Sequence, residues 1–176
     1  MEFSILYSIT RTAFLDSFFL TLTSIVGSYG QLFLIAGILL AVYKKTRKTG
    51  IALLLLYFGV LLFGQLIFKN LFSRPRPCQI DQTFALLIAR PTSSSFPSTH
   101  SAWAFGAATV IFMNYRKAGI AAFILAGIIA FSRLYLFMHF PTDVLFGTIM
   151  GIILGVAAVK LSNRFNNPPA AKTPET

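Results

Sequence analysis

The sequence predicts an all-α fold, a polytopic membrane protein whose helices form a bundle with about six transmembrane helices. Of its 176 residues, 56% are hydrophobic and only 11% are charged. Charged residues make up about a quarter of a typical soluble domain. The mean hydropathy is +0.74, and apolar runs recur along most of the chain. Because a helix needs about 20 apolar residues to cross the hydrocarbon core of a bilayer, these runs are expected to be the spans.

Each apolar run is bounded by charged or turn-forming residues. The predicted spans lie near residues 12–28, 29–43, 51–68, 101–115, 118–138 and 142–161. Arg11 and Asp16 crowd the first run, so that run either spans or lies along the membrane interface. We expect residues 1–161 to form a single membrane-embedded domain. Residues 162–176 are polar and rich in Asn and Pro, and this composition predicts a disordered tail.

The basic residues of the short loops predict the orientation of the spans, because cytoplasmic loops carry an excess of Lys and Arg. If the last four spans alternate, one face receives Lys44, Lys45, Arg47, Lys48, Arg116, Lys117, Lys160, Arg164 and Lys172. We expect that face, and with it the C-terminus, to be cytoplasmic. The short chain and its basic inner loops are typical of a bacterial cytoplasmic (inner) membrane protein.

A second set of cations lies on the opposite, extracytoplasmic face, against this bias. It comprises Lys69, Arg74, Arg76, Arg90 and Arg133. In a soluble protein the net charge of +10 would suggest a nucleic-acid partner. Here the cations sit between apolar runs, so we expect membrane lipids and an anionic substrate as partners, and no nucleic acid. The point charge of lysine and the planar fork of arginine both suit phosphate oxygens.

Three chain segments are suited to hold phosphate on that face. Lys69 ends the third span, and Arg76 follows after six intervening residues. Ser98 and Thr99 begin the fourth span, where free backbone N–H groups and the helix dipole favour an anion. Arg133 closes the fifth span. Taken alone, each of these cations is more often a snorkelling anchor at a helix end than a ligand.

The two histidines of the chain both lie on the same face as these cations. Asp143 follows Pro141 in the first turn of the sixth span, where the helix dipole keeps a carboxylate ionised. We expect Asp143 to hold the ring of His139 in one tautomer, the orienting role that a carboxylate plays in hydrolase triads. His139 is then the candidate nucleophile, and His100 is free to protonate the departing oxygen.

These residues, in this order and spacing, resemble the signature of the type 2 phosphatidic acid phosphatase family. The pattern covers about residues 51–161 and reads Lys69-x6-Arg76-Pro77, then Pro97-Ser98-Thr99-His100, then Ser132-Arg133-x5-His139-x3-Asp143. The resemblance implies a six-helix membrane core and hydrolysis through a phosphohistidine, with no metal and no other cofactor. It implies that His139 is the nucleophile, Asp143 its partner and His100 the acid. It further implies that phosphate is held by Lys69, Arg76, Ser98, Thr99 and Arg133.

The sequence departs from the family pattern in two places. Thr99 stands where the family usually has glycine, and it still offers its N–H provided that its φ is negative. Arg74-Pro75 repeats as Arg76-Pro77. The family spacing selects Arg76, so we expect Arg74 to be a rim cation whose replacement by alanine changes turnover little. The segment 78–96, which includes Arg90, is expected to set selectivity.

These features predict a metal-independent phosphatase of outer-leaflet lipid phosphates or pyrophosphates. Its substrate is open among undecaprenyl pyrophosphate, phosphatidylglycerol phosphate and phosphatidic acid, with a lipid A 1-phosphatase as the alternative. A metal-dependent phosphatase needs clustered carboxylates, whereas the acids here are scattered over Glu2, Asp16, Asp81, Asp143 and Glu175. A non-catalytic lipid-phosphate transporter or binding protein would use the same cations, but it has no need of the two histidines.

Overall fold

The computed structural model of the protein describes residues 1–166, and within them all regular secondary structure is helical. The helices of this part are α1 (Glu2–Tyr7), α2 (Ala13–Val26), α3 (Gln31–Val42), α4 (Arg47–Val60), α5 (Lys69–Phe72), α6 (Pro77–Ile80), α7 (Thr99–Asn114), α8 (Arg116–Tyr135) and α9 (Pro141–Asn166). A π-helical segment, Leu61–Phe68, joins α4 to α5. The prediction of an all-α fold is confirmed.

Three stretches of the described chain are long and apolar enough to cross a membrane, namely Arg47–Ile80, Arg116–Tyr135 and Pro141–Phe165. The helices α2 and α3 pass this test together as a pair bent by 49°, which gives up to four spans. The protein is therefore a multi-pass membrane protein, but the predicted count of about six spans is not confirmed. The first two predicted spans form the bent pair. The fourth corresponds to α7, whose 16 residues extend for only about 24 Å.

The helix α7 lies inside the bundle, packed against α8 and α9. Its contact with α9 is a glycine seam, formed by Gly147, Gly151 and Gly155 at intervals of one helical turn. A Cβ atom on Gly147 would meet the carbonyl oxygen of Ser98, and one on Gly151 would meet that of Ala102. Small residues at this spacing allow two helix backbones to approach closely. The seam thereby fixes the N-terminus of α7 beside the N-terminus of α9.

A Gly151→Leu variant is expected to melt at a lower temperature in detergent, because the backbone of α7 occupies the space that the new side chain needs. Overpacking of this kind costs about 1–3 kcal/mol. Gly127→Leu is the matched control, since nothing lies within 4 Å of the position of a Cβ on this residue of α8. Melting followed by light scattering and intrinsic fluorescence compares the two. Equal melting temperatures would contradict close packing at the seam.

The π-helical segment changes the spacing of the buried positions along its helix. Val60, Gly64 and Lys69 are successive buried residues there, so the spacing is four residues and then five. Gly64 faces α7, and a Cβ atom on it would meet the Cγ2 atom of Thr99. π-helical turns are rare and occur frequently at functional sites. In this chain the segment ends directly before Lys69.

The last helix is longer than the sequence predicts. It continues to Asn166, so residues 162–166, predicted to begin a disordered tail, are helical. The hydroxyl of Ser162 is buried and donates to the carbonyl of Lys48 at 2.8 Å, which ties α9 to the start of α4. This tertiary hydrogen bond explains why the helix extends past its apolar run. The rest of the predicted tail, residues 167–176, lies outside the described residues.

Candidate active site

A cavity of about 860 Å³ opens at the end of the bundle where α7 begins and α8 ends. Six of the eight predicted site residues line it, namely Lys69, Arg76, Thr99, His100, Arg133 and His139. Ser98 and Asp143 lie behind this lining. Three distant parts of the chain therefore meet in one place, and the two histidine rings share one cavity.

The walls of the cavity are strongly cationic. Residues 88–93 form one wall and contribute Arg90, which the sequence predicts to act in selectivity. The end of α2 and the turn at residues 27–29 form the opposite wall. Four basic side chains line the cavity, and within residues 1–166 no Asp or Glu does so. Such a concentration of one sign of charge attracts an anion.

His139 lies in the loop between α8 and α9 and is fixed from both sides of its ring. Its Nδ1 atom is 2.7 Å from the carbonyl oxygen of Ser95. Because a carbonyl only accepts, Nδ1 carries the proton. Its Nε2 atom is 3.2 Å from Nη1 of Arg76, and because a guanidinium only donates, Nε2 has its lone pair free of a proton. The tautomer that a nucleophilic Nε2 requires is thus set by its neighbours.

The ring of His139 is only 3% exposed, and it lies outside the predicted spans and the helices. Burial, together with the nearby positive charge of Arg76, lowers the pKa of His139 far below its ordinary value. The charge of Asp143 opposes this shift without cancelling it. His139 is therefore neutral at pH 7, with an electron pair available on Nε2.

Asp143 differs from its predicted role in one respect. Its Oδ2 atom lies 3.8 Å from Nδ1 of His139, which is beyond hydrogen-bond distance. Oδ2 instead accepts the N–H of Phe140 at 2.8 Å, which caps α9, and Oδ1 pairs with Arg74 at 2.6 Å. The carbonyl of Ser95 orients the ring, and the fully buried Asp143 acts on it by charge from a short distance.

Two of the three predicted phosphate-binding cations are held in place by hydrogen bonds. Arg76 donates from Nε to the carbonyl of Ser93 at 2.9 Å and from Nη1 to that of Met138 at 3.0 Å. Arg133 donates from Nε to the hydroxyl of Ser132 at 3.0 Å and from Nη2 to that of Thr23. Each guanidinium is therefore positioned before any ligand arrives, which lowers the cost of binding.

Lys69 differs from these two arginines because its ammonium group has no hydrogen-bond or ion-pair partner within residues 1–166. Its side chain is nevertheless only 8% exposed and lines the cavity beside Arg76. Since no buried side-chain nitrogen or oxygen of residues 1–166 lacks a hydrogen-bond partner, the ammonium itself is open to the cavity. An anion in the cavity would provide the partner.

The start of α7 presents Thr99 and His100 to the cavity but not Ser98. The hydroxyl of Ser98 is fully buried, lies 2.9 Å from that of Ser101 and caps α7 by accepting the N–H of Ser101 at 3.4 Å. The hydroxyl is thus used for N-capping, and the contact of Ser98 with phosphate stays a prediction. Thr99 has a negative φ as the first helical residue, so the departure from glycine leaves its backbone regular.

His100 faces the turn between α2 and α3. Its Nε2 atom is 3.1 Å from the carbonyl oxygen of Gly27, so Nε2 carries a proton. Gly27 has a φ of +76°, which residues with a side chain rarely adopt. The glycine thereby allows its carbonyl to turn toward the histidine.

Two residues that contact the site have a role there that the sequence did not predict. Ser95 acts through its backbone carbonyl. Every residue has such a carbonyl, so the sequence gives no sign of this role. Arg74 is visible in the repeated Arg-Pro, but the predicted rim position is wrong, because it is absent from the cavity lining and pairs with Asp143. The sequence does not show that Asp143 is buried behind the cavity, where it can pair with Arg74.

The protein is a multi-pass helical membrane protein in which two histidines and four basic side chains surround one cavity. This arrangement is typical of proteins that bind anionic groups at a membrane. The chain is a member of the PAP2 superfamily, whose family model matches residues 49–167. This confirms the family predicted from the three-part motif.

Known proteins of this family resemble the chain in sequence and in structure. An undecaprenyl-diphosphatase of Sulfolobus acidocaldarius is 29% identical over 126 residues, which cover 71% of this chain and 61% of the relative. The chain thus matches less than two thirds of the length of that relative. The crystal structure of Aquifex aeolicus LpxE has a TM-score of 0.69 at 30% identity, covering 86% of this chain and 88% of the other. A PAP2 type phosphatidylglycerolphosphate phosphatase from Bacillus subtilis has a TM-score of 0.64 at 29% identity, with coverages of 90% and 81%.

Proposed function

We propose that the chain is a metal-independent lipid phosphatase that removes phosphate through a phosphohistidine on His139. The observation that carries this proposal is the unprotonated Nε2 of a buried, neutral histidine at the wall of a cationic cavity. A protein that only binds phosphate gains nothing from an imidazole held in its nucleophilic tautomer. The metal-dependent alternative is weakened by the donor set, since no carboxylate among residues 1–166 lines the cavity.

Binding of the phosphate group prepares the nucleophile. In the free protein, Arg76 donates to the lone pair of His139 at 3.2 Å. A phosphate oxygen is a better acceptor for a guanidinium because the hydrogen bond is charge-assisted on both sides. When the phosphate takes over Arg76, the lone pair is released to face phosphorus. Lys69 and Arg133 then hold the remaining oxygens and balance the charge of the transition state.

The reaction proceeds in two displacements. Nε2 of His139 forms a bond to phosphorus while the bond from phosphorus to the lipid oxygen breaks. His100, in its protonated form, gives a proton to that oxygen, which replaces the carbonyl of Gly27 as the acceptor. Water then attacks the phosphohistidine and passes a proton to His100. The phosphorus–nitrogen bond breaks, and inorganic phosphate leaves.

The substrate is a lipid that presents a phosphate or a diphosphate to the extracytoplasmic side of the bacterial inner membrane. The cavity volume of about 860 Å³ is typical of sites that enclose a whole small molecule, so it has room for a headgroup beyond one phosphate. Relatives named for undecaprenyl diphosphate and for phosphatidylglycerol phosphate support these two substrates. The basic loops between the spans support a cytoplasmic position for the opposite face and for the C-terminus.

Phosphate release by the purified protein in detergent tests the proposal. The substrates are undecaprenyl pyrophosphate, phosphatidylglycerol phosphate, phosphatidic acid and lipid A 1-phosphate, each with and without an excess of EDTA. We expect release of inorganic phosphate from at least one of them, at a rate that EDTA does not change. Binding of these lipids without release would contradict the proposal and support a transporter or binding protein. Complete loss of activity in EDTA would contradict the metal-independent mechanism.

A further inference from the structure

Arg74 lies behind His139, outside the cavity lining, where its guanidinium bridges two carboxylates. Nη1 donates to Oδ1 of Asp143 at 2.6 Å, and Nη2 donates to Oε2 of Glu2 at 2.6 Å. The guanidinium also lies over the ring of Phe140, with 4.2 Å from Cζ to the ring centroid. Its side chain is 29% exposed. It is an engaged side chain with fixed partners, so the prediction that its loss changes turnover little needs revision.

The backbone of Arg74 makes a second link to the nucleophile. The N–H of Ser95 donates to the carbonyl of Arg74 at 2.8 Å. The carbonyl of the same Ser95 accepts from Nδ1 of His139 at 2.7 Å. One residue therefore holds both groups that face Nδ1, the peptide of Ser95 through its backbone and the carboxylate of Asp143 through its side chain.

The charge of Asp143 explains why this arrangement matters. The carboxylate is fully buried, and a buried carboxylate is strongly unfavourable without a cationic partner. His139 is neutral before it attacks and does not supply that charge, whereas Arg74 does. When Nε2 bonds to phosphorus, the ring becomes positive. A carboxylate already held 3.8 Å from Nδ1 then stabilises the ring without having to move.

The outer side of Arg74 is closed by Glu2 of α1. The hydroxyl of Thr142 donates to Oε1 of Glu2 at 2.7 Å, and its N–H donates to the same atom at 3.2 Å. Burial tends to raise the pKa of Glu2, but the hydrogen bonds from Thr142 and Arg74 outweigh it and lower the pKa. Glu2 is therefore ionised at pH 7 and limits the rotation of the guanidinium.

We propose that Arg74 is a positioning residue for the reaction, which holds the Asp143 carboxylate and the Ser95 peptide on the two sides of Nδ1 of His139. This inference rests on the proposed function. Arg74 does not line the cavity, so its loss affects the chemical step more than binding. Misplacing a catalytic group by about 1 Å can cost on the order of 10²-fold in rate. Arg74→Ala keeps the backbone carbonyl that holds Ser95 and removes the side chain that holds Asp143. We expect it to lower kcat by about this factor and to leave KM unchanged.

Three measurements separate positioning from a general loss of structure. Arg74→Lys is expected to recover part of kcat, because an ammonium keeps the charge but only one of the two bridges. Guanidinium ion at a low, non-denaturing concentration is expected to raise kcat of Arg74→Ala, whereas urea at the same concentration is not. Arg11→Ala is the matched control, because Arg11 also pairs with a carboxylate, Asp16 at 3.2 Å, and is similarly exposed at 23%.

The outcomes distinguish this inference from the proposed function. If the wild type and Arg11→Ala release phosphate and Arg74→Ala does so equally fast, the inference is wrong and the proposed function stands. A loss in Arg74→Ala that neither lysine nor guanidinium restores, or a rise in KM at constant kcat, would also overturn it. If the wild type releases no phosphate from any tested lipid, the inference fails together with the proposed function.

Discussion

A His139→Ala variant is expected to release phosphate more slowly than the wild type by roughly 10⁴-fold or more, because removal of a covalent nucleophile can cost on the order of 10⁶-fold in kcat. Among residues 1–166, this ring is the only group at the cavity whose lone pair is fixed by two neighbours. Ser95 accepts the proton of Nδ1, and Arg76 donates to the lone pair of Nε2. The measurement is phosphate release in single turnover, with substrate binding followed separately.

The nucleophile can be separated from its hydrogen bond by a second variant. In His139→Asn, an amide nitrogen near the position of Nδ1 keeps a donor for the carbonyl of Ser95, but nothing replaces Nε2. We expect this variant to bind lipid and melt like the wild type while remaining inactive. After a rapid quench in alkaline detergent with ³²P-labelled substrate, wild-type protein should carry a label that is stable in base and lost in acid, and His139→Asn should carry none. A turnover near the wild-type rate in either variant would disprove the phosphohistidine.

The second large effect is expected for His100→Ala, and its size should depend on the leaving group. General acid catalysis contributes about 10²–10⁴-fold, so hydrolysis of a lipid phosphate is expected to fall by a factor in this range. 4-Nitrophenyl phosphate releases an oxygen that needs no proton. With this substrate the first displacement should be close to the wild-type rate in the variant.

The second displacement still lacks its base in His100→Ala, so a phosphorylated protein should accumulate. We therefore expect a burst of nitrophenol equal to the amount of protein, followed by a slow steady rate. Equal losses on the lipid and on the nitrophenyl substrate, with no burst, would show that His100 serves the structure of the site and not proton transfer. Its hydrogen bond to Gly27 is the contact that such a structural role would use.

The location of the site could be predicted from sequence because two independent signals agree. Hydrophobicity and loop charge bring Lys69, His100 and His139 to one face, and the family motif names the same residues. The structure brings all three to one cavity. Side-chain identity and spacing were sufficient for this step, since each of these residues presents its own side chain to the cavity.

The parts that could not be predicted depend on backbone atoms and on burial. The hydrogen bond that orients His139 comes from the carbonyl of Ser95, and any residue could supply a carbonyl. Arg74 and Arg76 are equivalent by composition, and only the position of Asp143 behind the cavity separates their partners. The predicted count of about six spans stays unconfirmed, because α7 has only 16 residues and most of them are buried against other helices.

The π-helical segment has a consequence for which residue faces the phosphate. Each residue of an α-helix advances by about 100° around the axis. Had the buried spacing of four from Val60 to Gly64 continued, Phe68 would face the cavity and Lys69 would point about 100° away. The extra residue in the π-helical turn rotates the residues that follow it around the helix axis. As a result, the ammonium of Lys69 faces the cavity in place of the phenyl ring of Phe68. Deleting one residue of the segment that does not line the cavity, such as Leu62, would turn Lys69 away from the site although the lysine itself is retained.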